Sequence, residues 1–431
     1  MAVEKVEIVV VGAGLAGLAA AYFLADSGCE VLVVERGDYP GSKNVSGGRL
    51  YLQPVQPFLS DLLENAPFER RVVKERLTTM TPNASLTLDF TSERYREGPP
   101  HSCTILRATF DQWLSEKVAG KGALVVPGYK VDDLIMEGRR VLGIRAGEAE
   151  VYANVVIAAD GALSLLTEKV GLRPPHDPHK FALGIKEVIE IPSEKIQERF
   201  GLTDGQGAAQ LFFGSITEGM MGGGFLYTNR SSLSLGLVIG IHALMNKQPP
   251  IQPHDLMEAF KNRPEVQCLI EGGTPVEYSA HVIPEGAWRT MNGLVSDGFL
   301  AVGDAAGLSL NQAVTVRGMD LALVSGALAA QAILQARQKN DFSAQSLSLY
   351  PRMLQESSLY QDMLTFQQVP QVLNNPRLLI EYPQAVCELL EEMMWIGTRP
   401  KEKISSTVLR LLSKKFLNPT ALADLWTLRH I

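Results

Sequence analysis

Three glycines near the N-terminus constrain this chain more than any other feature. Gly12, Gly14 and Gly17 stand in a GAGLAG run where a β-branched stretch, residues 6–11, gives way to alanine and leucine. The pattern predicts a strand over 6–11, a tight turn, and a buried helix over 15–27 closed by Gly28. Gly12 permits the turn, Gly14 lets a pyrophosphate approach the free N–H groups of the helix start, and Gly17 lets helix and strand pack closely. A second apolar strand, Val31–Val34, ends at Glu35, eighteen residues after Gly17. A carboxylate there accepts hydrogen bonds from both ribose hydroxyls and disfavours a 2′-phosphate, so the expected nucleotide is FAD or NAD rather than NADP. Arg36, beside it, joins the candidate cofactor-binding residues. The glycines also argue against a membrane span or signal peptide, although residues 8–25 form a run of 18 without a charge.

Composition narrows the class. With 46% hydrophobic residues and 20% charged ones the chain is not disordered, and a net charge of −7 argues against a general nucleic-acid binder. The four cysteines, Cys29, Cys103, Cys268 and Cys387, lie at least 74 residues apart, so no CxxC pair can hold zinc or an iron–sulfur cluster. They read as reduced core residues of a cytoplasmic protein. No His, Cys and carboxylate spacing indicates a metal, and no Ser–His–Asp or GxSxG arrangement supports hydrolysis. His242 and His281 sit in strand-like runs and read as packing residues.

Two further segments choose between the nucleotides. The apolar run 155–159 ends in Asp160 and Gly161, and the run 299–302 ends in Gly303 and Asp304, followed by Gly307. Arg317, Gly318 and Asp320 then open a long alanine- and leucine-rich helix to about Arg337. An aspartate at a strand end so far from the first glycine suits the ribityl chain of an extended cofactor, which points to FAD.

Taken together, these three segments resemble the FAD-binding pattern of p-hydroxybenzoate-hydroxylase-like flavoproteins. Residues 41–49 (GSKNVSGGR), the GDAAG run 303–307 and the TVRGMD run 315–320 resemble more closely the FixC proteins, of the electron-transfer flavoprotein–quinone oxidoreductase family. That resemblance spans most of residues 5–340. It implies FAD as cofactor and electron transfer from a reduced electron-transfer flavoprotein towards the quinone pool. Many relatives carry a proline between the Gly-Asp turn and the last helix; this chain has Asn311, Gln312, Ala313 and Val314 instead. Under the resemblance, the glycine-rich segment 41–49 runs along the flavin with Lys43 or Asn44 near the ring, or else is a loop without that role. Arg107 stands where relatives touch the cofactor's phosphate or ribose, and Asp111 is read as supporting that helix's first turn. N–H groups around Gly318 face the flavin's pyrimidine end, while Arg317 either adds charge there or pairs with Asp320. The catalyst is then the flavin itself, with Lys43, Asn44 and Arg317 the protein groups closest to the chemistry.

The expected architecture is α/β. A Rossmann-like FAD-binding part (1–165, returning at 291–340) carries an inserted mixed or antiparallel-sheet substrate part (166–290), and a helical C-terminal region (341–431) follows. Residues 181–191 and 233–241 alternate with period two, as half-buried antiparallel strands do. Between them, glycines with Met220 and Met221 either line an apolar ligand or form a flexible turn. A helix over 254–262 and a strand over 277–282 complete this part. Residues 399–415 carry Arg399, Lys401, Lys403, Arg410, Lys414 and Lys415 against Glu402, with an apolar side from Val408 to Leu417. Such a stretch docks on its own domain or makes peripheral contact with the inner face of the membrane. Full-length quinone oxidoreductases of the family hold a [4Fe–4S] cluster in a cysteine-rich region absent here, so the resemblance implies a small ferredoxin-like partner. Rival readings are a geranylgeranyl-reductase-like enzyme acting on isoprenoid double bonds, a hydroxylase, and a flavin-bearing subunit of a larger redox complex.

Overall fold

The computed structural model describes residues 4–44, 48–173, 176–285, 293–398 and 400–431. Val45, Ser46 and Gly47 of the glycine-rich segment, and Arg399 of the basic stretch, lie outside the described residues.

Strand Glu4–Val11 is nearly all valine and isoleucine on its inner residues, and such a run is stable only when both faces are covered. It lies at the centre of a sheet, parallel to Ala149–Ala158 on one side and to Val31–Val34 on the other. Phe299–Ala301 and Leu124–Val126 extend the parallel set outward. Helix Leu15–Asp26 packs against the long helix Met319–Gln338, where Gly326 and Ala16 approach so closely that a Cβ on Gly326 would lie 2.2 Å from the Ala16 carbonyl oxygen. Met319–Gln338 is long and apolar enough to cross a membrane, yet most of it is buried as the core helix of this layer.

The second sheet is mixed. Its order runs Thr274–Pro284, Phe181–Glu190, Ser232–Gly240, Gly222–Thr228, Gln206–Gly214, Arg71–Met80, Ser102–Ile105 and Gly48–Tyr51, with Ser85–Thr91 paired beside Arg71–Met80. Gln206–Gly214 runs parallel to Arg71–Met80; the other pairings are antiparallel. Four strands from residues 48–105, expected within the nucleotide-binding part, thus hydrogen-bond into the sheet of the substrate part. Strands Phe181–Glu190 and Ser232–Gly240 are antiparallel as expected but are buried on both faces, not half-buried. Leu233, Leu235, Leu237 and Ile239 pack with Leu256, Met257 and Phe260 in a second core. Gly222, Gly223 and Gly224 belong to a strand rather than a turn.

Two side chains differ from their expected settings. The strand ends at Gly240, so His242 falls in the short helix Ile241–Met245 and is exposed. Cys268, on helix Pro264–Ile270, is exposed while the other three cysteines are buried.

The tail folds as short helices. Ile404–Lys415 docks one edge on Glu381–Met394, with Leu411 buried, Tyr382 stacked on Phe416, and ion pairs Arg410–Glu392 and Lys415–Glu388. Leu409 and Leu412 are exposed, as are Trp395, Ile396, Leu417, Leu425 and Trp426 elsewhere in the tail.

Candidate active site

Parallel strands leave their carboxyl ends on one side, and a crevice there is where α/β sheets bind ligands. Val11, Val34, Ala158 and Ala301 end four adjacent strands, and each is followed within two residues by a sequence-predicted one: Gly12, Glu35, Asp160 and Gly303. Gly12, Glu35 and Asp160, with Asp304 next to Gly303, line one cavity of about 1020 Å³. Such a volume is at the upper end for small-molecule sites, enough for an extended cofactor with a second ligand beside it.

At the nucleotide end each glycine has its own steric reason. Gly12 has φ +105°, and a Cβ there would sit 2.3 Å from the Ala159 carbonyl oxygen. A Cβ on Gly17 would meet the Gly12 carbonyl oxygen at 2.1 Å. Nothing lies within 4 Å of a Cβ on Gly14, because that position opens on the cavity at the start of helix Leu15–Asp26. Glu35 is held in place by its own backbone: Oε2 accepts from Ala13 N at 2.8 Å and Oε1 from Gly37 N at 2.7 Å. Arg36 also borders the cavity, with its side chain exposed.

Deeper in, Asp160 is half-buried, its enclosed Oδ1 without a hydrogen-bond partner among the described residues, next to Gly161 at φ +80°. Burial raises its carboxyl pKa, against backbone hydrogen bonds that lower it. Asp304 follows Gly303, itself at φ +59°. Burial pushes Asp304 up to about 6, opposed by the Arg107 cation. Arg107 starts helix Arg107–Gly120 and binds Asp111 one turn on, through Nε at 2.8 Å and Nη2 at 2.7 Å. Asp111 is therefore a clamp on Arg107, and it also receives Asn44 Nδ2 at 2.8 Å. Lys43 and Asn44 both border the cavity.

An orphaned acceptor at Asp160, an open Gly14 and carboxylates at two strand ends are the donor and acceptor set that a dinucleotide with a polyol chain satisfies. These residues fit FAD.

At the far end, Gly318 is the N-cap of helix Met319–Gln338, with nothing within 4 Å of a Cβ. Arg317 resolves into ion pairs: Nη2 lies 2.6 Å from Asp320 Oδ2 and Nη1 2.7 Å from Asp362 Oδ2. Its guanidinium also lies 5.8 Å from the Tyr51 ring centroid, and that of Arg49 lies 4.7 Å from the same ring. Arg49 in turn pairs with Glu75.

The second sheet supplies the apolar wall. Leu77, Leu211, Phe225, Tyr227 and Val238 face the cavity from four neighbouring strands, with Met221 and Gly222–224 beside them. Of the two alternatives for the methionine segment, Met221 and the glycines line the cavity, while Met220 joins the second core. Leu378, Leu379, Leu428 and Ile431 close the wall from the tail. His281, read from sequence as packing, borders the cavity from strand Thr274–Pro284; burial and the Arg107 and Arg36 cations lower its pKa. Glu285, at that strand's end, borders it too, and sequence reasoning missed it. A lone glutamate after a strand carries no local signal. The glycine triplet 222–224 was the one clue to this wall.

Comparison with known proteins agrees with this division of the cavity. Residues 7–168 match the family described as FAD dependent oxidoreductase, and residues 181–283 match the region described as ETF-QO, ubiquinone-binding. The chain is 43% identical over 410 residues to the probable electron transfer flavoprotein-quinone oxidoreductase YdiS of Escherichia coli (strain K12), covering 95% of both. It is 42% identical to Protein FixC of the same strain, again over 95% of both, and 38% identical to Protein FixC of Azorhizobium caulinodans over 94% of both. Among solved structures it resembles a geranylgeranyl bacteriochlorophyll reductase-like protein from Thermoplasma acidophilum, with TM-score 0.73 and 22% identity over 99% of this chain and all of that one. It also resembles PqsL, a probable FAD-dependent monooxygenase from Pseudomonas aeruginosa, with TM-score 0.59 and 14% identity over 87% of this chain and 98% of that one. Those two likenesses concern the fold.

Proposed function

The chain belongs to the FixC-type electron transfer flavoprotein–quinone oxidoreductase family of FAD-dependent oxidoreductases, and from that premise we propose that it passes electrons from a reduced electron-transfer flavoprotein through FAD to a quinone. The observation that carries this reading is the continuity of one cavity between the glycine-rich dinucleotide end and an apolar wall built largely from residues 181–283. A quinone with an isoprenoid tail is an apolar body with two polar carbonyls, and such a wall suits it.

FAD, when bound, supplies reversible two-electron chemistry; the chain's residues bind, orient and tune. In this reading Gly14 and the helix start receive the pyrophosphate, and Glu35 the adenosine ribose. Asp304 and Asp160 accept from hydroxyl donors of the ribityl chain. Arg107, fixed by Asp111, holds positive charge near the phosphates, and Lys43 borders the flavin. N–H groups at Gly318, at the positive end of a 20-residue helix, favour negative charge on the reduced ring. With two carboxylates on its guanidinium, Arg317 serves as a strut more than as free charge.

A small ferredoxin-like partner supplies the iron–sulfur centre in this proposal, because the four cysteines are too dispersed to ligate one. Stoichiometric iron and acid-labile sulfide in the purified protein would remove that element. The exposed apolar side chains of the tail, Trp395, Ile396, Leu425 and Trp426 among them, together with the exposed Lys401 and Lys403, support peripheral contact with an anionic membrane, and the same tail lends Leu428 and Ile431 to the cavity. The experiment is anaerobic transfer: reduced electron-transfer flavoprotein is added to the FAD-loaded protein, followed by a soluble quinone.

A further inference from the structure

Burying a carboxylate is costly unless a cation or several donors accompany it. Five carboxylic side chains are buried among the described residues: Asp111, Glu187, Glu285, Asp320 and Asp424. Four of them have a cation within 3.0 Å or less, namely Arg107, Lys261, Arg317 and Arg377 respectively. Glu285 has none among the described residues. Among them its carboxyl receives one hydrogen bond, from Asn311 Nδ2 to Oε2 at 3.2 Å.

The surroundings hold that carboxyl at a fixed place on the cavity wall. Glu285 N donates to the Lys180 carbonyl at 2.7 Å, and the preceding Pro284 carbonyl accepts from Ser309 Oγ at 2.5 Å. Asn311 cannot turn its amide freely, because Oδ1 accepts from Ala313 N at 2.9 Å. Its Nδ2 is therefore the donor, Oε2 of Glu285 the acceptor, and a proton on the carboxyl belongs on Oε1. The other charged groups nearby are engaged or distant in effect. Arg317, on the same ribbon as Asn311, is bound by Asp320 and Asp362; Arg107 is bound by Asp111. The Lys180 side chain is exposed, and His281, on the Glu285 strand, is shifted towards its neutral form. Burial pushes the Glu285 carboxyl up to about 7, so that it holds a proton in the working range.

We propose that Glu285 is a catalytic proton donor for the acceptor reduced in this cavity, with Asn311 its positioning residue. The proposal rests on the quinone reading above. Reducing a quinone to a hydroquinone takes two electrons and two protons. The reduced cofactor gives both electrons and one proton; the other carbonyl oxygen still needs a proton. The Glu285 O–H bond breaks, an O–H bond forms on that oxygen, and the carboxylate regains a proton from bulk water. Asn311 supplies the amide donor that orients the acid.

The test uses the FAD-loaded full chain and compares Glu285→Gln and Asn311→Leu with the parent on two acceptors. One is a soluble quinone, which needs protons; the other is ferricenium, which takes electrons alone. The expected result is a fall of at least about tenfold in the ratio of quinone to ferricenium rates for E285Q, the lower range of general acid catalysis. Parent quinone turnover should decline above about pH 7, and the E285Q profile should lose that limb. Infrared difference spectra of the parent, reduced minus oxidised, should carry a protonated-carboxyl band that E285Q lacks, a readout independent of turnover. An unchanged rate ratio and pH profile in an E285Q protein that retains FAD, or a band that persists in E285Q, overturns the proposal. A parent that reduces ferricenium but never quinone overturns the quinone reading, and this assignment with it.

Discussion

Asn44 donates from Nδ2 to Asp111 Oδ2 at 2.8 Å, tying the loop after the second strand to a helix that begins 63 residues later in the chain. The same carboxylate holds Arg107, so one fully buried acid positions a cation and a loop of the cofactor cavity together. Replacing Asp111 by Ala leaves the Arg107 guanidinium without its partner. Removing one member of a buried pair costs about 3–5 kcal/mol. D111A should unfold at a clearly lower temperature than the parent and purify with less FAD per chain. D111N, which keeps the shape and one acceptor, should lie between them. Thermal midpoints and flavin absorbance per protein check this.

The glycines of the first turn make a sharper pair. Gly14→Val adds a side chain where nothing lies within 4 Å, so the apoprotein should keep its thermal midpoint. The added methyls occupy the path of the pyrophosphate, and FAD affinity should fall by roughly two orders of magnitude, about 3 kcal/mol. Gly12→Val meets a carbonyl at 2.3 Å from a left-handed backbone, and should fail to fold stably at all. Calorimetry of the apoproteins and FAD titration separate the two outcomes.

Asp304 links cofactor binding to pH. Its carboxyl is pushed up to about 6 in the cofactor-free cavity, above the ordinary aspartate value of about 3.9. Between those values the folded protein holds a proton that the unfolded chain has released, so apoprotein stability should fall as pH rises through this window. Hydroxyl donors of a ribityl chain favour the ionised form. FAD affinity should therefore climb with pH up to about 6 and then level off. In D304N binding should be weaker and the climb lost. Fluorescence titrations across this range test both signs.

The tail makes a separate prediction. Trp395 and Trp426 are 72% and 66% exposed in the tail, which also lends Leu428 and Ile431 to the cavity. The protein should sediment with anionic vesicles, less with neutral ones, and the double change Trp395→Ser, Trp426→Ser should abolish sedimentation without altering FAD content. Equal sedimentation of the variant would show that this surface serves another purpose.

How much of this was legible before folding follows from where the signal sits. Gly12, Glu35, Asp160 and Asp304 each close a short apolar strand, so the chain carries its own local marker for every residue at the crevice. Asn44 and Asp111 meet across 67 residues, and nothing in either segment announces the other. The apolar wall was harder still. Leu77, Leu211, Phe225 and Val238 share a face only because strands from residues 71–80 and 206–240 pair in one sheet, a pairing that no local pattern announces. The apolar run continues to His242 and predicts a strand there, whereas the backbone turns into a helix one residue earlier, after Gly240. Arg317 had two readings from sequence; the ion pair with Asp362, 45 residues away, was visible in neither.

The central claim is passage of electrons from a reduced electron-transfer flavoprotein through FAD to a quinone. Anaerobic stopped-flow absorbance tests it most directly. The account predicts that the protein's oxidised flavin bleaches when reduced electron-transfer flavoprotein is mixed in, and recovers when soluble quinone follows. Flavin that bleaches with dithionite but stays oxidised beside the reduced electron-transfer flavoprotein would contradict it.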